Sequence, residues 1–220
     1  MNDYFSWKQE TLTHTVSNNI TQKYSDGFVF TRRGKGAMDQ TRSIRIDLNT
    51  FVLTSENRRI LRKTEDITLS SHPIPYTDYH WTIGKCAKDF YEKKFGKGTF
   101  SANAVKSCLT NAEETNFTML LLYTKSDDVV GYAVCYENTD ILHYSYPFYP
   151  LDFPNKSIGM GMMLKAILYA KETGKKYIYL GSAQRPSDTY KLQFSGLEWF
   201  DGKNWSGDLQ ELKHILDNTL

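Results

Sequence analysis

Apolar and polar residues alternate along residues 43–53 (SIRIDLNTFVL), where Ile44, Ile46 and Leu48 are separated by Arg45 and Asp47. A period of two is the signature of a half-buried strand. Residues 28–31 (FVFT) read as another strand, and the basic loop RRGKGAMDQ lies between the two. Three further runs, 117–125 (FTMLLLYTK), 129–137 (VVGYAVCYE) and 141–147 (ILHYSYP), are joined by the short turns SDD and NTD. That spacing predicts an antiparallel meander. Helical spacing predicts helices over 56–64, capped by Ser55, over 78–94, ended by Gly96, over 102–109, and over 207–218. The helix expected over 159–173 is apolar almost all round, so it is expected to be buried, and Gly174 stops it. The run KYIYLG (176–181) follows as a strand. A helix between strands 141–147 and 176–181 implies a parallel crossover. Residues 66–76 (DITLSSHPIPY) carry two prolines and no periodicity, which predicts a boundary. The expected organisation is a small basic unit over 1–72 and an α/β domain over 73–220, with a mixed, mostly antiparallel sheet flanked by helices.

Composition narrows the class. The chain has 220 residues, 40% hydrophobic and 24% charged. A chain of that size buries roughly 70% of its unfolded surface and needs no disulfide or metal to fold. Its longest apolar runs, such as Met119–Tyr123, fall far short of the ~20 residues that span a bilayer. The opening stretch MNDYFSWKQE has no apolar segment of the secretory type. Cys86, Cys108 and Cys135 are widely spaced with no CxxC. No metal site is expected, and a reducing, cytoplasmic setting is.

Charge is uneven. Residues 23–63 hold ten Lys/Arg against four Asp/Glu, a net of +6, and the rest of the chain is net −4. Such a segment is either a polyanion contact, such as RNA phosphate, or a solvated charged face. The fifteen tyrosines suit either a tyrosine-rich sheet or stacking against bases. Arg58, Arg59, Arg62 and Lys63 crowd one short helix. Like charges at i, i+4 repel unless an anion neutralises them. With Arg32, Arg33 and Lys35 in a loop of the same unit, they are candidates for gripping RNA phosphate.

The strongest local chemical signal is Lys156-Ser157-Ile158-Gly159-Met160-Gly161, after a strand and loop and at the start of the buried helix. Free N–H groups at a helix start make an anion site, and glycines allow close approach. The spacing resembles the pyrophosphate loop of GNAT acyltransferases. The wider sequence resembles the arginyl/leucyl-tRNA–protein transferases, GNAT-fold enzymes that move an amino acid from tRNA to a protein N-terminus. The stretches that carry this are VVGYAVCYENTDILHYSYPFY, KSIGMG, YIYLG, Tyr190-Lys191-Leu-Gln-Phe194, Leu197-Glu198 and DGKNW. Gly27-Phe28, Arg32-Arg33, Arg42-Ser-Ile-Arg45 and FVLTSENRRILR (51–62) match the family's N-terminal segment. Where the family carries a cysteine cluster this chain reads GKGAMDQT, so no metal or iron–sulfur centre is expected.

The resemblance implies a GNAT-like fold and aminoacyl transfer, of arginine or leucine, from aminoacyl-tRNA to the N-terminal amine of a protein or peptide. It implies no cofactor beyond that co-substrate and no membrane partner. Lys156, Ser157, Gly159 and Gly161 would hold phosphate or the tRNA 3′ end, with Tyr190 and Lys191 at the substrate. Tyr144 and Tyr146, two apart on one strand and so expected on one face, point either into the cleft or into the core. Gln184 would hold the carbonyl or amine, or lie on an exposed loop. Asp152 and Asp188 are candidates for the acceptor's ammonium, and His143 reads as a structural histidine. Rival readings are an acetyl-CoA-dependent N-acetyltransferase using the same loop, and a non-catalytic RNA- or peptide-binding module.

Overall fold

The computed structural model describes residues 5–13 and 17–218. Residues 1–4 of the opening stretch lie outside the described residues. In chain order the elements are β1 (Lys8–Thr11), α1 (Ser17–Ser25), β2 (Phe28–Phe30), β3 (Ala37–Gln40), β4 (Ser43–Asp47), α2 (Ser55–Lys63) and β5 (Thr68–Pro73). Then come α3 (Trp81–Phe95), α4 (Ala102–Thr110), β6 (Met119–Lys125), β7 (Asp128–Glu137), β8 (Ile141–Phe148) and α5 (Ile158–Glu172). The chain continues with β9 (Tyr177–Ser182), a 3-10 helix (Pro186–Gln193), β10 (Leu197–Phe200), β11 (Trp205–Ser206) and α6 (Leu209–Asp217).

The meander forms as expected. Ser126 and Asp127 both take positive φ, 48° and 71°, the backbone of a two-residue hairpin turn that suits the strand twist. β7 then pairs antiparallel with β8, and β8 pairs parallel with β9 after the α5 crossover. The main sheet runs β11-β10-β4-β9-β8-β7-β6-β5, and β1-β3-β2 form a separate small sheet. This is the mixed, mostly antiparallel sheet flanked by helices that the sequence predicts.

Alternation along the central strands divides the core in two. Leu121, Tyr123, Ala133 and Cys135 face one layer with Ile60 of α2, Met162 and Ile167 of α5, and Leu212 of α6. Leu120, Leu122 and Val134 face the other with Tyr24 of α1, Phe90 of α3, Leu109 of α4 and Phe28 to Phe30 of β2. α2 is capped by Thr54 rather than Ser55: the Thr54 hydroxyl accepts from Asn57 N at 3.1 Å while Asn57 Oδ1 accepts from Thr54 N at 3.2 Å. This reciprocal cap places Ser55 inside the first turn.

The boundary expected at 66–76 does not part the sheet. That stretch contains β5, the edge strand, paired with β6 from Thr68↔Thr124 to Pro73↔Met119. β4, from the basic segment, lies between β10 and β9. Ile44 and Ile46 share their core with α5. Prolines at the end of an edge strand leave no unmet ladder bond, so two prolines mark an edge here rather than a linker.

Candidate active site

The parallel ladder between β8 and β9 is short. It runs from Ile141↔Tyr177 to His143↔Tyr179 and ends there, although β8 continues to Phe148 and β9 to Ser182. Beyond that point each strand is bonded on its outer side only, to β7 and to β4. A gap opens inside the sheet, next to the start of α5.

A β-bulge sits at the mouth of this gap. Val134 pairs with Tyr146 while Cys135 pairs with Tyr144, so Ser145 is an extra residue on β8. A bulge breaks the period of two. Tyr144 therefore faces the α5 layer and is 2% exposed, whereas Tyr146 faces the α3 and α4 layer. The expectation that both tyrosines share a face is overturned by this one inserted residue. Burial, then the neighbouring Tyr123 hydroxyl, raises the pKa of the Tyr144 hydroxyl. Tyr146 lies against Phe117 at 5.3 Å and Phe100 at 5.5 Å between ring centroids.

Lys191, from the 3-10 helix, reaches into the gap. It is 8% exposed, and its Nζ donates to Ser182 O at 2.9 Å, at the end of β9. Burial lowers its pKa, opposed by the carboxylate of Asp188. His143 lies behind it. Burial, and then the Lys191 charge, push the imidazole down to about 3. The ring is therefore neutral, with Tyr24 Oη 2.8 Å from Nδ1 and Ser145 Oγ within 2.9 Å. This is the structural histidine expected.

The α5 N-terminus forms the next wall. Among the described residues the N–H groups of Gly159 and Met160 have no protein partner, while Gly161 N already donates to Ser157 O at 2.8 Å. Ser157 N donates to Asn155 Oδ1, and Asn155 Nδ2 donates to Lys63 O at 2.7 Å. The two glycines differ in their work. A Cβ at Gly161 would stand 2.6 Å from Thr64 Cγ2, so Gly161 lets α2 and α5 pack closely. A Cβ at Gly159 would meet Tyr149 Oη at 3.0 Å. Tyr149 also packs on Phe90 at 4.8 Å. Tyr149, the last residue of the stretch 129–149 that carries the resemblance, follows directly on β8. Tyr190 is 45% exposed. Burial of its hydroxyl, then the charge of Asp188, raises its pKa.

The basic residues do not form one surface. Arg58, Arg62 and Lys63 lie on α2, whose Ile60 packs in the α5 layer, and Lys63 adjoins the Lys156 loop through Asn155. Arg59 is paired with Glu56 at 2.5 Å. Arg32, Arg33 and Lys35 lie across the sheet, beside α4 and Phe100. Arg33 pairs with buried Asp39.

Three other candidates are already engaged or lie apart. The Gln184 amide donates to Thr41 Oγ1 at 2.7 Å and to Ser182 Oγ at 3.0 Å, and its Oε1 accepts from Phe5 N at 3.0 Å. It clamps the N-terminal segment and is not free to hold a carbonyl or amine. Asp188 Oδ2 accepts from Gln184 N and Arg185 N at 2.8 and 3.0 Å, so it caps the 3-10 helix. Asp152 is exposed, and its charge is felt at Cys86 of α3. Among the described residues no group of three or more His, Cys, Asp or Glu could hold a metal ion.

Residues 67–201 match the family described as "Arginine-tRNA-protein transferase, C terminus". The chain belongs to this family. That makes it a tRNA-dependent aminoacyltransferase in class. The family's relatives include the aspartate/glutamate leucyltransferase of Alkalilimnicola ehrlichii, 29% identical over 86% of this chain and 80% of the relative. Those of Ruegeria pomeroyi (27%, over 74% of this chain and 60% of the relative) and Saccharophagus degradans (26%, over 74% and 69%) are also similar. Among solved structures, the C-terminal domain of a putative lysylphosphatidylglycerol synthetase from Agrobacterium fabrum has a TM-score of 0.48 at 12% identity, covering 80% of this chain and 55% of that one. A GNAT family acetyltransferase from Elizabethkingia anophelis with acetyl-CoA bound has a TM-score of 0.40 at 17% identity, covering 58% and 72%. Within the transferase family's matched span lie the gap, the bulge, the α5 start and the 3-10 helix. No helix among the described residues is long and apolar enough to cross a membrane.

Proposed function

We propose that the chain moves leucine from leucyl-tRNA to the N-terminal amine of proteins that begin with an acidic residue. The observation that carries this is the agreement in name among the curated relatives, which are aspartate/glutamate leucyltransferases. The reaction needs little acid–base machinery, because the tRNA ester is already activated and positioning supplies much of the rate. The amine's lone pair forms the new amide C–N bond. The ester C–O bond breaks, and the tRNA ribose oxygen takes the proton that the amine gives up.

Each wall of the gap has a part in this reading. The free N–H groups at Gly159 and Met160, with Lys156 and Lys63 beside them, would hold a phosphate of the tRNA 3′ end at the positive end of the α5 dipole. The remaining exposed cations of α2, Arg58 and Arg62, would extend that contact along the acceptor stem. Lys191 would aim an ammonium donor at the ester carbonyl, where charge develops. A buried donor acts there in low dielectric and without reorganisation. Tyr190, half exposed beside it, would line the path of the ester.

The test supplies purified protein with leucyl-tRNA, arginyl-tRNA or acetyl-CoA, each labelled, and peptides beginning with Asp, Glu, Asn or Ala. The reading expects label from leucyl-tRNA on the acidic peptides. Label from acetyl-CoA, or from arginyl-tRNA alone, would overturn it.

A further inference from the structure

Three cations stand in the turn after β2, and the protein uses two. Arg33 pairs with Asp39. Lys35 Nζ donates to Ala112 O at 2.8 Å and to Thr115 O at 2.7 Å. Arg32 has no carboxylate partner among the described residues. Its guanidinium lies 4.4 Å from the centroid of the Phe100 ring and 5.9 Å from that of Tyr146. Phe100 is 1% exposed, so the platform under the guanidinium is fixed. Stacking uses the face of a guanidinium and leaves its N–H edge free for a planar anion.

The position of that edge matters. Tyr146 is the residue just past the β8 bulge, on the α3 and α4 side of the sheet. The α2 cations and the Lys156 loop are on the other side. Arg32 is thus separated from the surface assigned to tRNA. It also faces a cavity of about 450 Å³. Glu113 and Glu114 line the same cavity, and Glu114 is bonded to Ser107. A peptide whose amine enters the gap at the bulge would lay its first side chain along Tyr146 toward Arg32.

We infer that Arg32 reads the acidic side chain of the acceptor's first residue, through a two-pronged guanidinium–carboxylate contact. The inference rests on the transfer reaction proposed above and adds the residue that selects its acceptor. Arg geometry matches a carboxylate bidentately, whereas a neutral amide offers one acceptor and no charge. The N-terminal residue is therefore told apart from its isostere: Asp from Asn, Glu from Gln.

The test compares the unmodified chain with Arg32→Gln and Arg32→Lys, using peptides that differ only in Asp against Asn at position one. Direct peptide binding, by anisotropy of a fluorophore at the peptide's C-terminus, is measured beside transfer. Arg32 is exposed, and the melting temperature of each variant is measured beside binding, so that a loss of fold from uncovering Phe100 is told apart from a loss of the carboxylate contact. The unmodified chain should bind and use the Asp peptide better, and Arg32→Gln should weaken roughly ten- to a hundredfold for Asp while changing little for Asn. Arg32→Lys should recover part of that drop. KM for the peptide should rise, with tRNA affinity unchanged. If Arg32→Gln keeps the full preference for Asp, the inference is wrong. It is equally wrong if the variant weakens tRNA binding and leaves peptide KM alone, which would make Arg32 a phosphate contact. If no leucine is transferred but the binding preference is present and disappears in Arg32→Gln, the acceptor site stands and the transfer reading falls.

Discussion

At the scale of single residues, two buried bases give opposite kinds of evidence. His143 is held neutral, with its pKa pushed down to about 3 by burial and then by Lys191. An unfolded chain returns it to about 6.5. Between those values the unfolded state binds the proton and the folded state does not. Stability from this group is therefore complete above about pH 6.5 and is lost as pH falls toward 3. His143→Gln should flatten that acid limb in melting curves taken across the range; an unchanged limb would show that another group sets it. Lys191 is the reverse case in function. Burial lowers its pKa, so the fold works against its charge. In the reaction proposed above, that charge is the donor aimed at the ester carbonyl. Lys191→Met should lower single-turnover transfer by roughly a hundred- to a thousandfold while the melting temperature stays level or rises. A fall in melting temperature with transfer intact would make Lys191 a structural plug.

At the scale of elements, the joint between α2 and α5 connects the basic helix to the proposed anion site. Gly161→Ala would drive a Cβ against Thr64. Overpacking of that kind costs about 1–3 kcal/mol, readable as a lower denaturation midpoint. Gly159→Ala meets only the end of a tyrosine side chain and should cost less stability, yet weaken tRNA binding by crowding the free amides. Equal effects of the two changes on stability and binding would refute this division of labour. On α2, Arg58 and Arg62 are free of carboxylates among the described residues, whereas Arg59 is held by Glu56. Replacing Arg58 and Arg62 by Ala should flatten the salt dependence of tRNA affinity by roughly 0.7–0.9 in log–log slope for each phosphate no longer neutralised. Replacing Arg59 alone should change the slope less.

At the scale of the whole molecule, the periodic parts of the chain are legible in the sequence and the aperiodic parts are not. The meander, the buried helix and the parallel crossover follow from runs with a clear period. β1, β3, β10 and β11 are at most four residues each. They are too short to show a period and are held by their partners. The placement of β4 in mid-sheet depends on pairing with β9 and β10 far along the chain, which no local pattern records. Of the candidate site, the sequence marks Lys156–Gly161 and Tyr190-Lys191, which the structure places at the α5 start and on the 3-10 helix. What stays hidden comes from single insertions and long-range bonds. The Ser145 bulge turns Tyr146 away from Tyr144, the sheet separates Arg32 from α2, and Gln184 is taken up by Phe5. The resulting molecule presents a basic helix and a helix N-terminus on one side of the sheet. On the other side stands an aromatic-backed arginine, and a gap with a buried lysine lies between them. One measurement tests that account most directly. A peptide beginning with Asp is incubated with the protein and leucyl-tRNA, then sequenced by tandem mass spectrometry. The account predicts a single leucine joined to the peptide's N-terminal amine, dependent on the tRNA. An unmodified peptide under conditions where the protein binds leucyl-tRNA, or an acetyl group there when acetyl-CoA is supplied instead, would contradict it.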